Sequence, residues 1–240
     1  MSIEDFIESS NRAASVGDLF DLYKKAMAGI GFDRLIFSLM TDHPFIGRPA
    51  GHGIMLNYPG DWMKFYAEKN YEAIDPVRHK MYLAESAFAW EDLRKCRLLS
   101  KGQAECLTLG DEAGLHSGIG IPLHGPRGAV AGIGAASSAG GVELDKNTLS
   151  RAQLFSQQFY TVFVALQKPP QEIPAVRLSD REQEVLKWCG NGKTKAEIGD
   201  IMDLSEHTVG FHVRKAQQKL DANSTTLVVL KALHMGLIQF

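Results

Sequence analysis

WCGNGKTKAEIG, residues 188–199, contains a Gly192-Lys193-Thr194 triplet of the kind that closes a nucleotide-binding loop. Such a loop, G-x-x-x-x-G-K-[ST], needs a glycine five residues before Gly192 so that successive backbone N–H groups turn toward phosphate. Lys187 stands at that position, and Glu184 to Trp188 reads as helix where a buried strand should lead in. The better reading is punctuation. Gly190 and Gly192 end one helix, where the chain needs positive φ. Thr194 begins the next. Ser179-Asp-Arg-Glu182 and Thr194-Lys-Ala-Glu197 are both capping boxes, a hydroxyl N-cap joined to a glutamate three residues on. Ser205 and Ser224 can cap a third and a fourth helix, and Asp203-Leu204 leaves only a tight turn between the second and third. Residues 176–240 therefore read as an all-α four-helix unit with a helix-turn-helix inside it.

The third helix divides cleanly by face. Val209, Val213, Ala216 and Leu220, spaced four, three and four, form its core stripe, while Gly210, Phe211, Arg214, Lys215 and Gln218 point elsewhere. The outward face is cationic and amide-bearing. Arginine can pair bidentately with guanine, glutamine with adenine, and lysine with phosphate, which suits a helix lying in the major groove of DNA. A simply solvated face is the alternative. The charge balance gives this reading no support: residues 176–240 hold nine Lys/Arg and eight Asp/Glu, leaving 17 and 20 of the chain's 26 and 28 for residues 1–175. DNA contact must then rest on locally placed cations.

Upstream, Gln167 to Pro174 carries three prolines in eight residues, which favours an extended connector. The expected division is a first domain over 1–166, a linker over 167–175 and the helical domain over 176–240. Within the first domain, Leu19, Leu22, Tyr23, Ala26, Met27 and Ile30 mark a helix, and residues 35–40 and 54–58 read as strands. Residues 117–124 and 129–136 read as a hairpin around His124-Gly-Pro-Arg-Gly128. A helix over 146–166 carries Phe155, Phe159, Val162, Phe163 and Leu166 on one stripe, offered as a dimer contact together with the helix at 225–237. The expected fold class is α+β: an antiparallel sheet flanked by helices, an α/β/α sandwich, followed by the four-helix domain.

With 240 residues, 45% of them hydrophobic and 22% charged, the chain can bury a sizeable core. The N-terminus is acidic where a signal peptide is basic, and no apolar run reaches membrane-spanning length, so a cytoplasmic location without membrane association is expected. Cys96, Cys106 and Cys189 have no C-x-x-C spacing, which suggests neither a disulfide framework nor a zinc site. There is no G-x-S-x-G elbow and no H-E-x-x-H spacing, so catalysis is not expected. No cofactor is expected.

Residues 176–238 resemble the C-terminal domain of LuxR-type transcription regulators. Leu178 to Glu182, Leu186, Gly192 to Thr194, Glu197-Ile198, Ser205, Thr208-Val209, His212-Val213 and Lys219-Leu220 carry the likeness. By similarity, Glu182, Leu186 and Gly192 hold the domain together, Lys193 and Thr208 lie near phosphates, with Thr194 beside them, and Gly210, Phe211 and Arg214 face bases. The expected partners are a second copy of the chain, an operator in double-stranded DNA and, as a further candidate, RNA polymerase.

In the first domain, Tyr58, Trp62 and Tyr66 are four apart and can share one side of a helix, followed by Asp75-Pro76 and Trp90. Such a stripe fits ordinary core as well as the wall of a ligand pocket, and Asp75-Pro76 fits an ordinary turn before a helix. The order of Tyr58, Trp62, Tyr66, Asp75-Pro76, Trp90 and Gly118 resembles the autoinducer-binding domain of quorum-sensing LuxR regulators. That resemblance implies an N-acyl homoserine lactone as ligand. Trp62 would donate to the lactone carbonyl, Asp75 accept the ligand amide N–H, Tyr58 contact the acyl carbonyl, and Tyr66 and Trp90 wall the pocket. A buried carboxylate needs a partner, and the ligand amide is expected to supply it. Gly134 departs from the pattern, falling where many members carry a Ser or Thr, and Gly120 is similarly small. Both are expected to open space for a short branched or aromatic acyl group. The competing readings are a regulator of this architecture sensing another small molecule or none and, more remotely, an enzyme that processes the lactone.

Overall fold

The computed structural model describes residues 1–95, 98–167 and 176–239, which fall into two compact units divided within 168–175, so the expected linker lies almost wholly outside the described residues. In the first unit the order is α1 (Ile3–Asn11), α2 (Val16–Ala28), β1 (Arg34–Leu39), β2 (Gly51–Leu56), α3 (Gly60–Glu68) and α4 (Pro76–Met81). Then come β3 (Phe88–Ala89), α5 (Trp90–Arg94), α6 (Lys101–Glu112), β4 (His116–His124), β5 (Val130–Ser137) and α7 (Lys146–Gln167). The second unit holds α8 (Asp180–Gly190), α9 (Lys195–Met202), α10 (Glu206–Lys219) and α11 (Thr225–His234).

The five strands form one antiparallel sheet in the order β2-β1-β5-β4-β3. Period-two alternation sends Leu35, Phe37 and Leu39 of β1, Ile119, Ile121 and Leu123 of β4, and Ala131, Ile133 and Ala135 of β5 to one face, where α1, α2 and α7 cover them. Phe155, Phe159 and Phe163 of α7 are buried in that layer, with Phe37 edge-on to both Phe159 and Phe163. The phenylalanine stripe is therefore core, and it is not free to pair two copies of the chain. Burying each such ring stabilises the layer by roughly 1.5–3 kcal/mol. The opposite face of the sheet carries Ile36, Met40, Gly118, Gly120, Gly132 and Gly134, under α3, α4, α5 and α6.

In the second unit both capping boxes form: the Ser179 and Thr194 hydroxyls accept the N–H groups of Glu182 and Glu197, whose carboxylates accept in return. Gly190 closes α8 and Gly192 carries the positive φ, so the 192–194 triplet lies between two helices. Glu182 is buried. Burial alone pushes its carboxyl up, but the Lys219 ammonium 2.7 Å away and Ser179 hold it below the usual range. The stripe of Val209, Val213, Ala216 and Leu220 is buried as its spacing requires. The last helix is shorter than expected, ending at His234 because Gly236 turns left-handed at φ 67°.

Candidate functional site

Between the sheet and helices α3 to α6 lies a partly open cavity of about 60 Å³. One water needs roughly 10–15 Å³ on that measure, so there is room for a group larger than water. Tyr58 sits between β2 and α3, two residues beyond the strand end at Leu56, while Trp62 and Tyr66 come from successive turns of α3. All three line the cavity, with Asp75, Trp90 and Gly134. The aromatic stripe is thus both core and cavity wall.

Asp75 caps α4, its Oδ1 accepting the Val77 N–H at 2.8 Å while Oδ2 accepts the Tyr66 hydroxyl at 2.8 Å. The expectation that a ligand alone would supply its partner is therefore corrected: two protein donors already hold it. Burial still pushes its carboxyl above the usual carboxylate range, opposed by those two bonds and by Arg78. Two donors at the cavity have no partner among the described residues: the buried Tyr58 hydroxyl and the Trp90 indole N–H. An orphaned buried donor costs about 1–3 kcal/mol, so these two have the most to gain from an occupant.

The glycines do something other than expected. A Cβ at Gly134 would lie 2.7 Å from the Tyr58 hydroxyl oxygen and 2.9 Å from Ile36. At Gly120 it would lie 2.4 Å from the Phe88 ring, and at Gly118 it would meet the Trp90 ring at 2.0 Å. The room left by the missing side chains is filled by Tyr58, Phe88 and Trp90, so Gly120 and Gly134 do not open space. The glycine stripe lets rings lie against the sheet backbone. Gly118, Gly120 and Pro76 do not line the cavity, and Pro76 serves as the first residue of α4.

Spacing missed a polar cluster in the wall. Arg78 of α4 donates through Nη1 to His52 Nδ1 at 2.7 Å and through Nη2 to Glu72 at 2.8 Å. The Ser38 hydroxyl lies 3.2 Å from the same His52 nitrogen and accepts the Gly53 N–H. Arginine can only donate, so Nδ1 of His52 accepts and the ring proton sits on Nε2. Burial, then Arg78, pushes the His52 imidazolium down to about 4, and its ring stacks on Tyr66 at 5.1 Å. Ser38, two residues beyond Ile36 on the same face of β1, was the one member that strand alternation could have flagged.

On the helical unit, Gly199 of α9 lets the turn pass close. A Cβ there would lie 2.6 Å from the Leu204 carbonyl oxygen, and Asp203 takes the left-handed conformation that reverses the chain into α10. Phe211, Arg214, Lys215 and Gln218 of α10 are exposed, with the Lys215 ammonium 5.7 Å from the Phe211 ring centre. Gly210 is covered, with Arg214 and Lys195 nearest to it. Thr194 and Thr208 are engaged in their helix caps, and Lys193 pairs with Glu197 at 3.3 Å. No group of three His, Cys, Asp or Glu that could hold a metal ion occurs among the described residues, and no helix there is long and apolar enough to cross a membrane.

A sheet with a walled cavity followed by a helix-turn-helix defines a class, a small-molecule sensor joined to a DNA-reading module. Residues 15–162 match the model of the autoinducer binding domain, and residues 176–232 that of bacterial regulatory proteins of the luxR family. The chain belongs to the LuxR family of quorum-sensing transcription regulators. It is 32% identical to the quorum sensing-dependent transcriptional regulator RpaR of Rhodopseudomonas palustris over 98% of this chain and 94% of that protein. It is 31% identical to the regulatory protein SdiA of Escherichia coli over 84% and 83% of the two. A crystal structure of Escherichia coli SdiA shares the fold, with a TM-score of 0.67 at 24% identity over 99% and 98% of the chains. These relatives and domains are transcription regulators and not enzymes.

Proposed function

We propose that the cavity binds an N-acyl homoserine lactone and that the chain acts in the cytoplasm as a homodimer on a palindromic operator. One observation carries the ligand reading: the buried Tyr58 hydroxyl has no partner among the described residues and lies at a cavity wall shared with Trp62 and Asp75. An acyl carbonyl satisfies Tyr58. The remaining lone pairs of Asp75 accept the ligand amide, Trp62 donates to the lactone carbonyl, and Trp90 closes the wall. The small cavity favours a compact acyl group over a long linear one.

A dimer is argued from the helix-turn-helix itself, since one such module covers too little DNA for strong specific binding and two read a symmetric site. Lys193, Thr194, Thr208 and Lys215 are assigned to phosphates, and Gly210, Phe211, Arg214 and Gln218 to base edges. Ligand alters transcription only by binding one state of the dimer better than another.

Expression with and without bacterial culture extract, followed by mass spectrometry of what co-purifies, tests the reading. A lactone recovered in near one-to-one amount, lost in Tyr58→Phe together with Asp75→Asn, is the expected result. Recovery of a compound of another class, or equal recovery from the double variant, overturns it.

A further inference from the structure

His207 is the second residue of α10, and neither the cap nor the core of that helix uses it. Ser205 caps α10, its hydroxyl accepting the Thr208 N–H at 3.1 Å and lying 2.8 Å from the Thr208 hydroxyl. Val209 and Val213 carry the buried face. His207 is exposed, and Phe211, Arg214, Lys215 and Gln218, all exposed, follow it at four, seven, eight and eleven residues along one outward stripe. The first turn of a helix favours acidic side chains and small capping ones, so α10 gains nothing from an imidazole there. Three residues further on the same side stands Gly210, with no side chain. Where its Cβ would be, the nearest groups are Arg214 Nη1 at 3.4 Å and Lys195 Cδ at 4.0 Å. The Arg214 guanidinium thus lies back along the helix toward its first turn, and Lys195, the first residue of α9, comes in from beside it. Donor side chains surround one bare stretch of backbone.

We propose that His207 reads a guanine in each half-site of the operator by donating an imidazole N–H to the base edge, which makes it a specificity-determining residue alongside those already assigned on α10. This rests on the base-reading role given to α10 above. The N-terminal residues of a recognition helix are the ones that reach base edges. Histidine is short for the task, and the missing side chain at Gly210 lets the groove floor come close enough for it. Guanine fits a lone donor because its major-groove edge offers two acceptors, N7 and O6, and no donor. Adenine sets its N6 amino group beside N7, cytosine offers an amino group alone, and thymine places a methyl next to its O4. An imidazole carries an N–H whether neutral or protonated, so the contact needs no charge. Loss of such a contact changes which sequence is bound, whereas loss of a phosphate contact weakens all sequences alike.

The test uses full-length protein purified from cells grown with bacterial culture extract and a DNA fragment that the wild type selects from a random pool. Each position of the half-site is then replaced by the other three bases, in both half-sites together, and affinity is read by fluorescence anisotropy. Wild type is expected to prefer guanine at one position by at least about fivefold. His207→Ala is expected to bring all four bases at that position within about twofold while preferences elsewhere in the half-site remain, a split that a merely structural histidine does not produce. His207→Gln, whose amide matches adenine, is expected to move the preference to adenine at the same position and provides a second reading if His207→Ala folds poorly. Equal weakening of all sequences in His207→Ala makes the residue a phosphate contact and overturns the proposal, as does a guanine preference that persists in both variants. If Arg214→Ala relaxes a position while the His207 variants change nothing, the proposal falls and α10 remains the base reader. A wild type that selects no common sequence, or preferences unchanged in all three variants, overturns both.

Discussion

The Tyr66 hydroxyl donates to Asp75 Oδ2 across 2.8 Å, so the acid at the cavity wall is held before any ligand arrives. Its carboxyl is nonetheless raised by burial above the 3.8 of an ordinary aspartate. The folded protein therefore holds this proton more tightly than the unfolded chain. The resulting penalty is absent below 3.8, grows as pH rises from there through the folded value, and is fully present above it. Asparagine at this position keeps an acceptor for the Val77 N–H and carries no charge to desolvate. Asp75→Asn is expected to unfold at pH 7 no lower in temperature than wild type, with a flatter dependence between pH 4 and 7, yet to gain no stability from a lactone that stabilises wild type. Thermal melts at several pH values, with and without lactone, check both halves. A variant that melts much lower but still responds to lactone would assign Asp75 to the fold alone.

The Trp90 ring lies on the bare backbone of Gly118, 2.0 Å from where a Cβ would stand, and the obstacle is a rigid indole in the core. Gly118→Ala must push Trp90 off the cavity wall. A loss of roughly 1–3 kcal/mol or somewhat more is expected, together with a shift in tryptophan emission. Gly132→Ala crowds the Sδ of Met81 at 2.3 Å, near the end of a flexible side chain, and otherwise touches Met40 at an ordinary 3.6 Å, so it should cost clearly less. Urea unfolding of the two variants side by side gives the comparison, and equal losses would show that ring stacking on the sheet is not what the glycine provides.

Much of this was legible in the sequence because the signals are local. Ser179 with Glu182, Thr194 with Glu197, and the period-two runs of β1, β4 and β5 each state their structure within a few residues. The stripe 155-159-163 was visible too, but period alone does not say whether an apolar face meets the chain's own sheet or a second copy; here it meets the sheet. The two-residue strand β3 and the short α5 were missed because neither is long enough to show a period. The glycines at 120 and 134 misled for a different reason. An absent side chain signals room, and only packing reveals that Phe88 and Tyr58 have taken it. The cluster of Ser38, His52 and Arg78 joins residues from β1, β2 and α4, and no spacing rule links them.

Gly199 sits where α9 meets the turn, and an added Cβ would stand 2.6 Å from the Leu204 carbonyl oxygen, a backbone atom that cannot swing away. Gly199→Ala should therefore force α9 and α10 apart in spite of alanine's better helix propensity. The expected cost is about 1–3 kcal/mol, with loss of DNA binding at physiological temperature. Circular dichroism melts of the full chain, read for a low-temperature transition, measure it. An unchanged or raised melting point would show that the turn has slack that its geometry denies.

Gly210 makes the opposite case on the next helix. A Cβ there would meet only Arg214 Nη1 at 3.4 Å and Lys195 Cδ at 4.0 Å, both at the ends of flexible side chains. Glycine in a helix interior costs about 1 kcal/mol relative to alanine, so the fold alone gives no reason for it. A local rule broken without structural compensation points to function, here close approach of the α10 backbone to DNA. Gly210→Ala is expected to raise the stability of the helical unit by about 0.5–1 kcal/mol while weakening binding to a DNA fragment selected by the wild-type protein from a random pool. Lys215→Ala should instead weaken binding to all sequences alike and lower the slope of log affinity against log salt by about 2 for the dimer, because it removes one phosphate contact at each of two half-sites. Binding isotherms at several salt concentrations separate the two effects. If Gly210→Ala stabilises the protein and leaves DNA affinity untouched, α10 does not carry its backbone into the groove, and the base-reading role assigned to this face fails with it.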